Sequence, residues 1–511
     1  MPSNYSKNEM PEYRGHESCQ GSHLALLGQI VCQPRAGQSN GSTIRICRFS
    51  WSEQKGIGRF MYWIACSVVW ISVLLLPATT FAQAIRFQPQ GAAAAGQGNA
   101  FAAQADDASA IHFNPAGLTQ VDGVQSMVGT NLMGGSIKYK SPAGLDTRGD
   151  FGGSITSPPP SQFYLSANLG TLGLSTFSPV TLGIGLTSPF GTSTRYPVNS
   201  PFNTAVTSAT LPLIDIKPTL AYKVNDDLSL GVSADIYTFA GFLGEGHAEQ
   251  RQVGAGLFGV PAGTSVEFNG KGTGAGATVS MLYTPLRNSD GKPVASIGLV
   301  YRSQAVVPLN GSLSVNGAKV ADASTNLVLP QIYTGAIAVW PVRTSEREWK
   351  LELDVEYVGW KSNRDLDLHL SSGGVIPQPQ QWKTVPVVAV GTEYRWLNPE
   401  WLPYWDVAVR SGYTRTENPV PDLTFNPGTI SLTSNTLSIG AGFLCKGQGR
   451  FLGMVPCGGA SALWPKAMGL DVAFQEWFYE SRTVAGNQNP TVNGTYHAFV
   501  HLGTVSLKFM F

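Results

Sequence analysis

Four charged residues lie in segments whose side chains alternate between apolar and polar, and their types suggest ligand chemistry. Asp354 and Glu356 occupy polar positions in KLELDVEY, and Arg302 and Arg410 occupy polar positions in two other alternating segments. An arginine can bind a carboxylate through two parallel hydrogen bonds, so Arg302 or Arg410 could hold the acidic head group of an amphipathic ligand. The alternative is a structural network of ion pairs among these and other charges on the polar faces. The sequence leaves both roles open.

Motifs for enzymes and metal sites are missing from residues 85–511. That part of the sequence contains no G-x-S-x-G, no H-E-x-x-H and no paired C-x-x-C, the spacings that hydrolases and zinc sites use. Asp365, Asp367 and His369 alternate in RDLDLHL and could bind a metal, but such alternation is also typical of a solvated strand face. We therefore expect no metal, no cofactor and no catalytic residue. His497 and His501 alternate in the last segment and keep an enzyme at the rim of a barrel as an alternative.

The composition excludes several classes of protein. Charged residues make up 13% of the 511 residues, whereas an ordinary soluble domain has about 25%. Lys and Arg number 34 against 33 Asp and Glu, so no basic excess is available to neutralise phosphates, and we expect no nucleic-acid partner. A hydrophobic fraction of 43% with so little charge also argues against a disordered chain.

A long apolar run lies near the beginning of the chain. Residues 61–76 read MYWIACSVVWISVLLL, follow basic residues, and precede small residues that include Ala82 and Ala84. A basic region, a short apolar core and small residues at the cleavage point are typical of a secretory signal peptide. The run is also shorter than the roughly 20 residues of a membrane-spanning helix. We predict a signal peptide over 59–84, preceded by a polar leader over 1–58 unless the true start site lies downstream.

Alternation of apolar and polar residues dominates the rest of the chain. In LSLGVSADIY, Leu230 and Val232 share one face, and Ser229 and Ser233 share the other. Such strands form a sheet with one apolar face. That face is buried in a soluble sandwich or turned to lipid in an outer-membrane barrel. The signal peptide, the alternation of short turns with long Gly- and Pro-rich segments, and an aromatic last strand favour the barrel. We predict an all-β fold, a transmembrane antiparallel β-barrel over 124–511.

The segment 85–123, between the signal peptide and the barrel, has a different composition. It is rich in Ala and Gly and lacks alternation. Because its side chains are small, the segment can pack compactly, and we predict that it plugs the lumen of the barrel. Such a plug argues against the alternative of a general diffusion porin, which needs an open, water-filled lumen.

Two of the six cysteines follow the signal peptide. Cys445 and Cys457 stand close together in LCKGQGRFLGMVPC. Disulfides are common in exported proteins. The pair is therefore predicted to form a disulfide that closes one loop, which we expect on the outer side of the barrel.

Several segments resemble one protein family, and they do so in the same order. AGQGNAFAAQADDASAIHFNPAGL resembles the N-terminal hatch of FadL-type long-chain fatty-acid transporters, including its motif at Asn114, Pro115 and Ala116. The segments LGIGLTSPFGTSTRY, PTLAYKVNDDLSLGVSADI, GAGATVSMLYTPL, IGLVYRS, DVEYVGW, NPVPD and LSIGAGF follow in family order. The resemblance implies a barrel of about fourteen strands plugged by the hatch. It also implies that the protein moves hydrophobic molecules inward across the outer membrane of a Gram-negative bacterium.

The resemblance further implies a side opening in the strand VTLGIGLTSPFG. In the family this strand has an inward kink, and here the candidate positions are Gly183, Gly185, Pro189, Phe190 and Gly191. Proline cannot donate a hydrogen bond to a strand ladder, so it belongs at a strand end, an edge or a bulge. The alternative is that Pro189 begins an outer loop, while the two strand glycines only make room for the hatch.

The sequence thus supports a hypothesis of passive uptake of a hydrophobic small molecule, such as a long-chain fatty acid, with lateral exit through the barrel wall. We expect a monomer that contacts outer-membrane lipids. A general diffusion porin and an outer-membrane barrel enzyme are the alternatives.

Overall fold

The structure is a computed structural model in which the described residues are 29–34, 45–50, 84–151, 161–241, 246–256, 260–459 and 464–511. The predicted signal peptide lies outside the described residues except for Ala84. Within the predicted leader, two strands are described, β1 (Gln29–Pro34) and β2 (Arg45–Ser50), and they pair antiparallel. Among the described residues, no helix has the length and apolar character needed to cross a membrane.

The described part of the chain from residue 124 onward forms a closed antiparallel barrel of 14 strands. Several of these strands are interrupted and consist of two segments. The segments are β3 (Val124–Lys140), β4 (Asp146–Asp150), β5 (Gln162–Asn168), β6 (Val180–Thr187), β7 (Thr192–Arg195), β8 (Ser208–Leu211), β9 (Leu213–Lys223), β10 (Leu228–Phe239), β11 (Ala248–Val253), β12 (Ser265–Lys271), β13 (Gly274–Arg287), β14 (Pro293–Arg302), β15 (Ala305–Val315), β16 (Ala318–Leu329), β17 (Ile332–Arg343), β18 (Arg347–Val358), β19 (Leu368–Leu370), β20 (Val375–Ile376), β21 (Val385–Leu397), β22 (Trp405–Thr416), β23 (Ser434–Lys446), β26 (Ala467–Tyr479), β27 (Arg482–Val484) and β28 (Gly494–Met510).

The barrel closes where β28 pairs with β3. The ladder runs from Thr495 opposite Lys140 to Met510 opposite Gln125. Closure removes the free edges that an open sheet would present. Two further short strands, β24 (Arg450–Phe451) and β25 (Val455–Pro456), form a separate hairpin between β23 and β26.

The apolar face of the barrel points outward. On β10, Leu230 and Val232 are each 45% exposed, whereas Ser233 and Asp235 are buried inside. β18 repeats the pattern, with Tyr357 exposed outside and Asp354 buried inside. A soluble sandwich would bury its apolar face, whereas a lipid environment accepts it. The predicted transmembrane barrel is therefore confirmed, and the sandwich is excluded.

The two ends of the barrel differ. Short turns such as 224–227 and 344–346 lie at the end of the barrel that also holds the C-terminus. At this end the Phe511 amide donates to the Val124 carbonyl at 2.9 Å. The other end carries the long connections 196–207, 417–433 and 485–493. Because outer-membrane barrels have short periplasmic turns and long outer loops, the short-turn end is the periplasmic end.

The loop closed by the two cysteines lies at the short-turn end. Cys445 and Cys457 form a disulfide with Cα atoms 5.7 Å apart. Strand β23 runs toward the chain terminus before this loop, and the Lys466 amide after it donates to the Met510 carbonyl at 2.6 Å. The expectation of an outer loop is therefore wrong. The direction of β23, which depends on how many strands precede it, places the loop on the periplasmic side.

Residues 84–123, called the N-terminal segment below, are compact. They contain the short helices α1 (Ala92–Ala95) and α2 (Ala110–Phe113) and a 3₁₀ helix, Pro115–Gln120. Helix α1 packs against β23, β26 and β28, and the 3₁₀ helix packs against β9, β10 and β13. The alanines of α1 are buried in these contacts. The segment therefore lies against the inner face of the barrel.

Candidate functional site

An apolar cavity lies at the long-loop end of the barrel. Its volume is about 1070 Å³, the upper end of the range found for small-molecule sites. Its apolar side chains come from strand segments near the long-loop end and from the connections that precede β21 and β23. They include Leu211, Phe268, Leu309, Leu327, Trp382 and Phe425. Ile85, at the start of the N-terminal segment, also lines it. A cavity with such walls can hold a hydrophobic molecule.

Two smaller cavities continue from this one along the N-terminal segment. The second has a volume of about 100 Å³ and shares Thr192 and Thr429 with the large cavity. The third has a volume of about 30 Å³ and shares Arg86, Gln88 and Asn99 with the second. The third holds little more than one water molecule. The three cavities form a row from the outer end of the barrel into the lumen. The innermost cavity is too small for an organic ligand.

Arg86 of the N-terminal segment lies between the second and third cavities, where it binds Glu356 of β18. Its Nη1 and Nη2 donate to the two carboxylate oxygens of Glu356 at 2.5 and 2.8 Å. Gln88 Nε2 donates to the same carboxylate at 3.5 Å. Glu356 thus has a partner on the segment, as a structural ion pair requires. The sequence missed Arg86, which precedes the alternating pattern and has no motif around it.

Arg302 lines the third cavity and has one donor without a hydrogen-bond partner in the described part of the chain. Its Nη2 donates to the His112 carbonyl at 3.2 Å. Its Nε has no hydrogen-bond partner among the described residues. Because a buried charged donor without a partner is costly, an acceptor that entered this cavity would gain a strong hydrogen bond.

Arg410 is placed differently, inside a closed network of ion pairs. Its Nε donates to Glu393 and its Nη1 to Asp471, each at 2.6 Å. Lys508 then bridges Asp471 at 2.9 Å and Asp107 of the N-terminal segment at 2.5 Å. Arg410 lines none of the three cavities described. Of the two roles that the sequence left open, the geometry favours the structural one for Arg410.

Two carboxylates of β18 hold a turn of the N-terminal segment. Asp354 Oδ2 accepts the amides of Phe101 and Ala102, both at 3.0 Å. Glu352 Oε1 accepts the amides of the next two residues, Ala103 and Gln104, at 2.6 and 3.2 Å. Four successive amides that point the same way form a concave anion site. Asp354 therefore acts here as an anchor for the segment.

Lys350 completes this contact. Its Nζ donates to Glu352 Oε2 and to Gln104 Oε1, each at 2.6 Å. A buried carboxylate is stable only when charge and hydrogen bonds compensate for its lost hydration. Sequence reasoning did not single out Lys350 or Glu352, although both share the polar face of KLELDVEY with the predicted Asp354.

The Asn114–Pro115–Ala116 motif fastens the same turn to the wall. Asn114 Nδ2 donates to the Ala102 carbonyl at 2.7 Å and to the Met281 carbonyl of β13 at 3.2 Å. Its Oδ1 accepts the Ala116 amide at 3.1 Å, and Pro115 begins the 3₁₀ helix. A proline suits this first helical position because its missing amide would have no partner there.

Glycines of the wall let the segment approach closely. A Cβ atom added to Gly231 would lie 2.3 Å from the Ala116 amide nitrogen, and one added to Gly298 would lie 2.3 Å from the Ala102 carbonyl oxygen. Neither distance is possible between non-bonded atoms. Any larger residue at these two positions would displace the segment or the wall.

The strand that contains Gly183 and Pro189 is interrupted. The β5–β6 ladder ends at Phe163 opposite Leu186. The Gly191 amide donates to the Ile85 carbonyl at 2.7 Å, and the Phe87 amide donates to the Pro189 carbonyl at 2.8 Å. Over 188–191, backbone pairing is thus with the N-terminal segment.

The neighbouring glycines contact the segment as well. A Cβ atom on Gly183 or Gly185 would lie 2.8 Å from carbon atoms of Ile111. Phe190 is buried, and its ring packs edge-on against Tyr237 and Trp360. The structure thus gives the glycines the role of accommodating the segment and brings Pro189, Phe190 and Gly191 directly against it.

The residues considered for enzyme or metal chemistry lie elsewhere. His501 and His497 share the outward face of β28, where they contact Glu476 and Ser481, respectively. Among the described residues, no group of three or more His, Cys, Asp or Glu side chains is arranged to hold a metal.

Comparison with known proteins places this geometry in a family. Residues 75–448 match the model of the outer membrane protein transport protein family, OMPP1/FadL/TodX. The chain belongs to this family. Members of the FadL/TodX family are transport channels for hydrophobic compounds in the outer membrane. The predicted family, location and class of protein are thus confirmed, and the alternative of an enzyme is excluded.

Three solved structures share the fold. A FadL homologue of Pseudomonas aeruginosa has a TM-score of 0.63 and 16% identity, over 84% of this chain and 99% of that one. The toluene transporter TodX of Pseudomonas putida has a TM-score of 0.55 and 14% identity, over 84% and 100% of the two chains. The toluene transporter TbuX of Ralstonia pickettii has a TM-score of 0.54 and 14% identity, over 83% and 99%.

A relative known from its sequence is similar over a shorter stretch. It is a Neisseria meningitidis serogroup B protein that carries the name outer membrane protein NMB0088, and it is 32% identical over 139 residues. The match spans 26% of this chain and 28% of that relative's length.

The anchoring role of Asp354 predicts a change in conductance. Asp354→Ala removes the acceptor of two amides, and a hydrogen bond to a charged group contributes about 1.5–3 kcal/mol. The population in which the segment has left the wall should therefore rise roughly tenfold to hundredfold. Single-channel recording in planar bilayers should show more frequent opening. Glu348→Ala is the matched control, because Glu348 pairs with Lys292, Arg343 and Arg395 on the barrel itself. Equal opening in the two variants would contradict this role.

Proposed function

We propose that this protein takes up hydrophobic molecules by binding them in the large outer cavity and releasing them inward when the N-terminal segment moves. The observation that carries the proposal is a row of three cavities in which neighbours share lining residues. Their volumes fall from about 1070 Å³ at the outer end to about 30 Å³ beside Arg86 and Arg302. In this proposal the segment is the hatch that the family resemblance implied, and the cargo moves down its own concentration gradient.

The cargo favoured by the cavity chemistry is a long-chain carboxylate. The outer cavity supplies apolar contact, and Arg302 supplies an unpartnered donor at the inner end of the same row of cavities. An arginine binds a carboxylate more strongly than it binds a neutral group. Toluene, which the names of TodX and TbuX give as their cargo, would use only the apolar part. An aromatic hydrocarbon is therefore the second candidate.

A cargo can open the hatch only by binding the open state more tightly than the closed one. The pair of Arg86 with Glu356 lies where the second and third cavities meet. A cargo carboxylate at this point would compete with Glu356 for Arg86. Replacing one carboxylate by another keeps the arginine paired, so the exchange avoids leaving a buried charge alone.

The role of Arg302 is tested by a pair of ligands. Arg302→Gln should weaken binding of a long-chain fatty acid roughly tenfold to hundredfold, because a charged hydrogen bond is lost. Binding of the methyl ester of the same acid should change little. Isothermal titration with the purified protein measures both affinities. If the acid and the ester lose affinity equally, Arg302 does not bind the carboxylate, whereas Arg302→Lys should restore part of the preference.

The exit we propose is lateral, beside residues 183–191. Here the β5–β6 ladder ends at Leu186, and the backbone of 188–191 pairs with Ile85–Phe87 of the hatch. If the hatch moves away, these backbone groups lose their partner and a gap opens in the wall. An apolar cargo that leaves sideways avoids crossing the wet periplasmic end.

A reversible crosslink tests whether this contact must open. Arg86 and Phe190 face each other in an isolated antiparallel bridge, flanked by the two hydrogen bonds of 85–191 and 87–189. Such non-hydrogen-bonded pairs have Cα atoms about 4.5 Å apart, within the range that a disulfide spans. R86C/F190C should therefore take up cargo at the same rate as Arg86→Cys when reduced and lose most of that uptake when oxidised. Arg86→Cys alone is the control, and equal uptake by the oxidised and reduced double variant would rule out movement at this contact.

A further inference from the structure

The disulfide loop at the periplasmic end folds over the outside of the barrel wall. On β23, Gly442 faces Arg410 and Asp471 in the lumen. Phe443 and Cys445 alternate with it and face outward, where Cys445 stands opposite Trp405 of β22. The Phe451 ring stacks on the Trp405 ring with centroids 6.1 Å apart. Residues 447–459, called the rim hairpin below, therefore lie on the lipid side of the wall.

The rim hairpin exposes large apolar side chains. Leu452 is 67% exposed and Met454 is 73% exposed, and Trp464 just beyond the hairpin is 40% exposed. They continue a belt of outward-facing aromatic residues at the same end of the barrel, which includes Trp396 and Trp401. Aromatic belts of this kind lie at the membrane interface in outer-membrane barrels. The apolar surface of the hairpin is therefore continuous with a surface that already contacts lipid.

The charge of this region is entirely positive. Residues 446–466 contain Lys446, Arg450 and Lys466 and no Asp or Glu. Lys446 pairs with Asp406 of the barrel. Arg450 and Lys466 are exposed and form no ion pair with any described residue. Apolar side chains next to free basic side chains are typical of segments that lie in the headgroup region of an anionic membrane.

We propose that the rim hairpin is a membrane anchor that inserts Leu452 and Met454 into the periplasmic leaflet of the outer membrane. Arg450 and Lys466 bind the phosphates of anionic phospholipids in that leaflet. The Cys445–Cys457 disulfide holds the hairpin against the lipid-facing wall, so that little conformational freedom is lost on insertion. The anchor would fix the depth and tilt of the barrel next to β22 and β23.

Photo-crosslinking in the native membrane tests this assignment. Met454 is replaced by p-benzoylphenylalanine in the full chain, the outer membranes are irradiated, and the adducts are identified by mass spectrometry. The expected product is a phospholipid adduct. The matched control is the same replacement at Val198, which is 71% exposed at the long-loop end and should give no phospholipid adduct. An adduct with another protein at position 454, or no adduct there, would overturn the proposal.

A charge variant tests the phosphate contacts separately. Arg450→Glu combined with Lys466→Glu, in the protein with p-benzoylphenylalanine at 454, should lower the share of phosphatidylglycerol among the lipid adducts several-fold. Lys319→Glu, at an exposed position paired with Asp322 near the long-loop end, is the control and should leave the share unchanged. An unchanged share in the double variant would overturn the assignment of these two side chains to anionic headgroups.

Discussion

Two carboxylates that accept four successive backbone amides are the interaction on which the position of residues 84–123 inside the barrel depends. Asp354 and Glu352 face the same way because they stand two residues apart on β18, and they meet the amides of residues 101–104. Both the amides of the turn and the carboxylates of β18 require this contact, since buried amides and buried carboxylates both need hydrogen-bond partners. The turn therefore has one favourable position in the lumen. Asn114 then ties the 3₁₀ helix to that turn.

The remaining lumen charges extend this constraint around the barrel. The pairs of Arg410 with Glu393 and Asp471, and of Lys508 with Asp107, link the four strands β21, β22, β26 and β28 to the segment. Buried ion pairs contribute little net stability, but removing one partner is costly. Such a network specifies a position more than it adds stability. Arg302 differs from Arg410 because its Nε has no partner among the described residues, and for that reason it carries the proposal about ligand.

Much of the fold follows from the alternation of residues along the strands. Leu230 and Val232 have to share a face in any strand, so the outward apolar surface was predictable. The motif at Asn114 was also visible, because asparagine before proline has local hydrogen bonds to make. The anchoring of the turn was not predictable from spacing, since Ala102 and Asp354 are 252 residues apart in the chain. The side of the disulfide loop depended on the number of preceding strands, which alternation alone does not count reliably when strands are interrupted.

The claim that residues 84–123 close the barrel is tested most directly by the ion conductance of a variant that lacks residues 87–113. The deletion removes Phe101–Gln104, the turn held by Glu352 and Asp354, and leaves every strand of the barrel intact. In planar bilayers the full-length protein should remain closed, and the deletion variant should give a large, steady conductance. Circular dichroism and resistance to detergent unfolding check that the variant still forms the barrel. A folded deletion variant that remains as closed as the full-length protein would contradict the account.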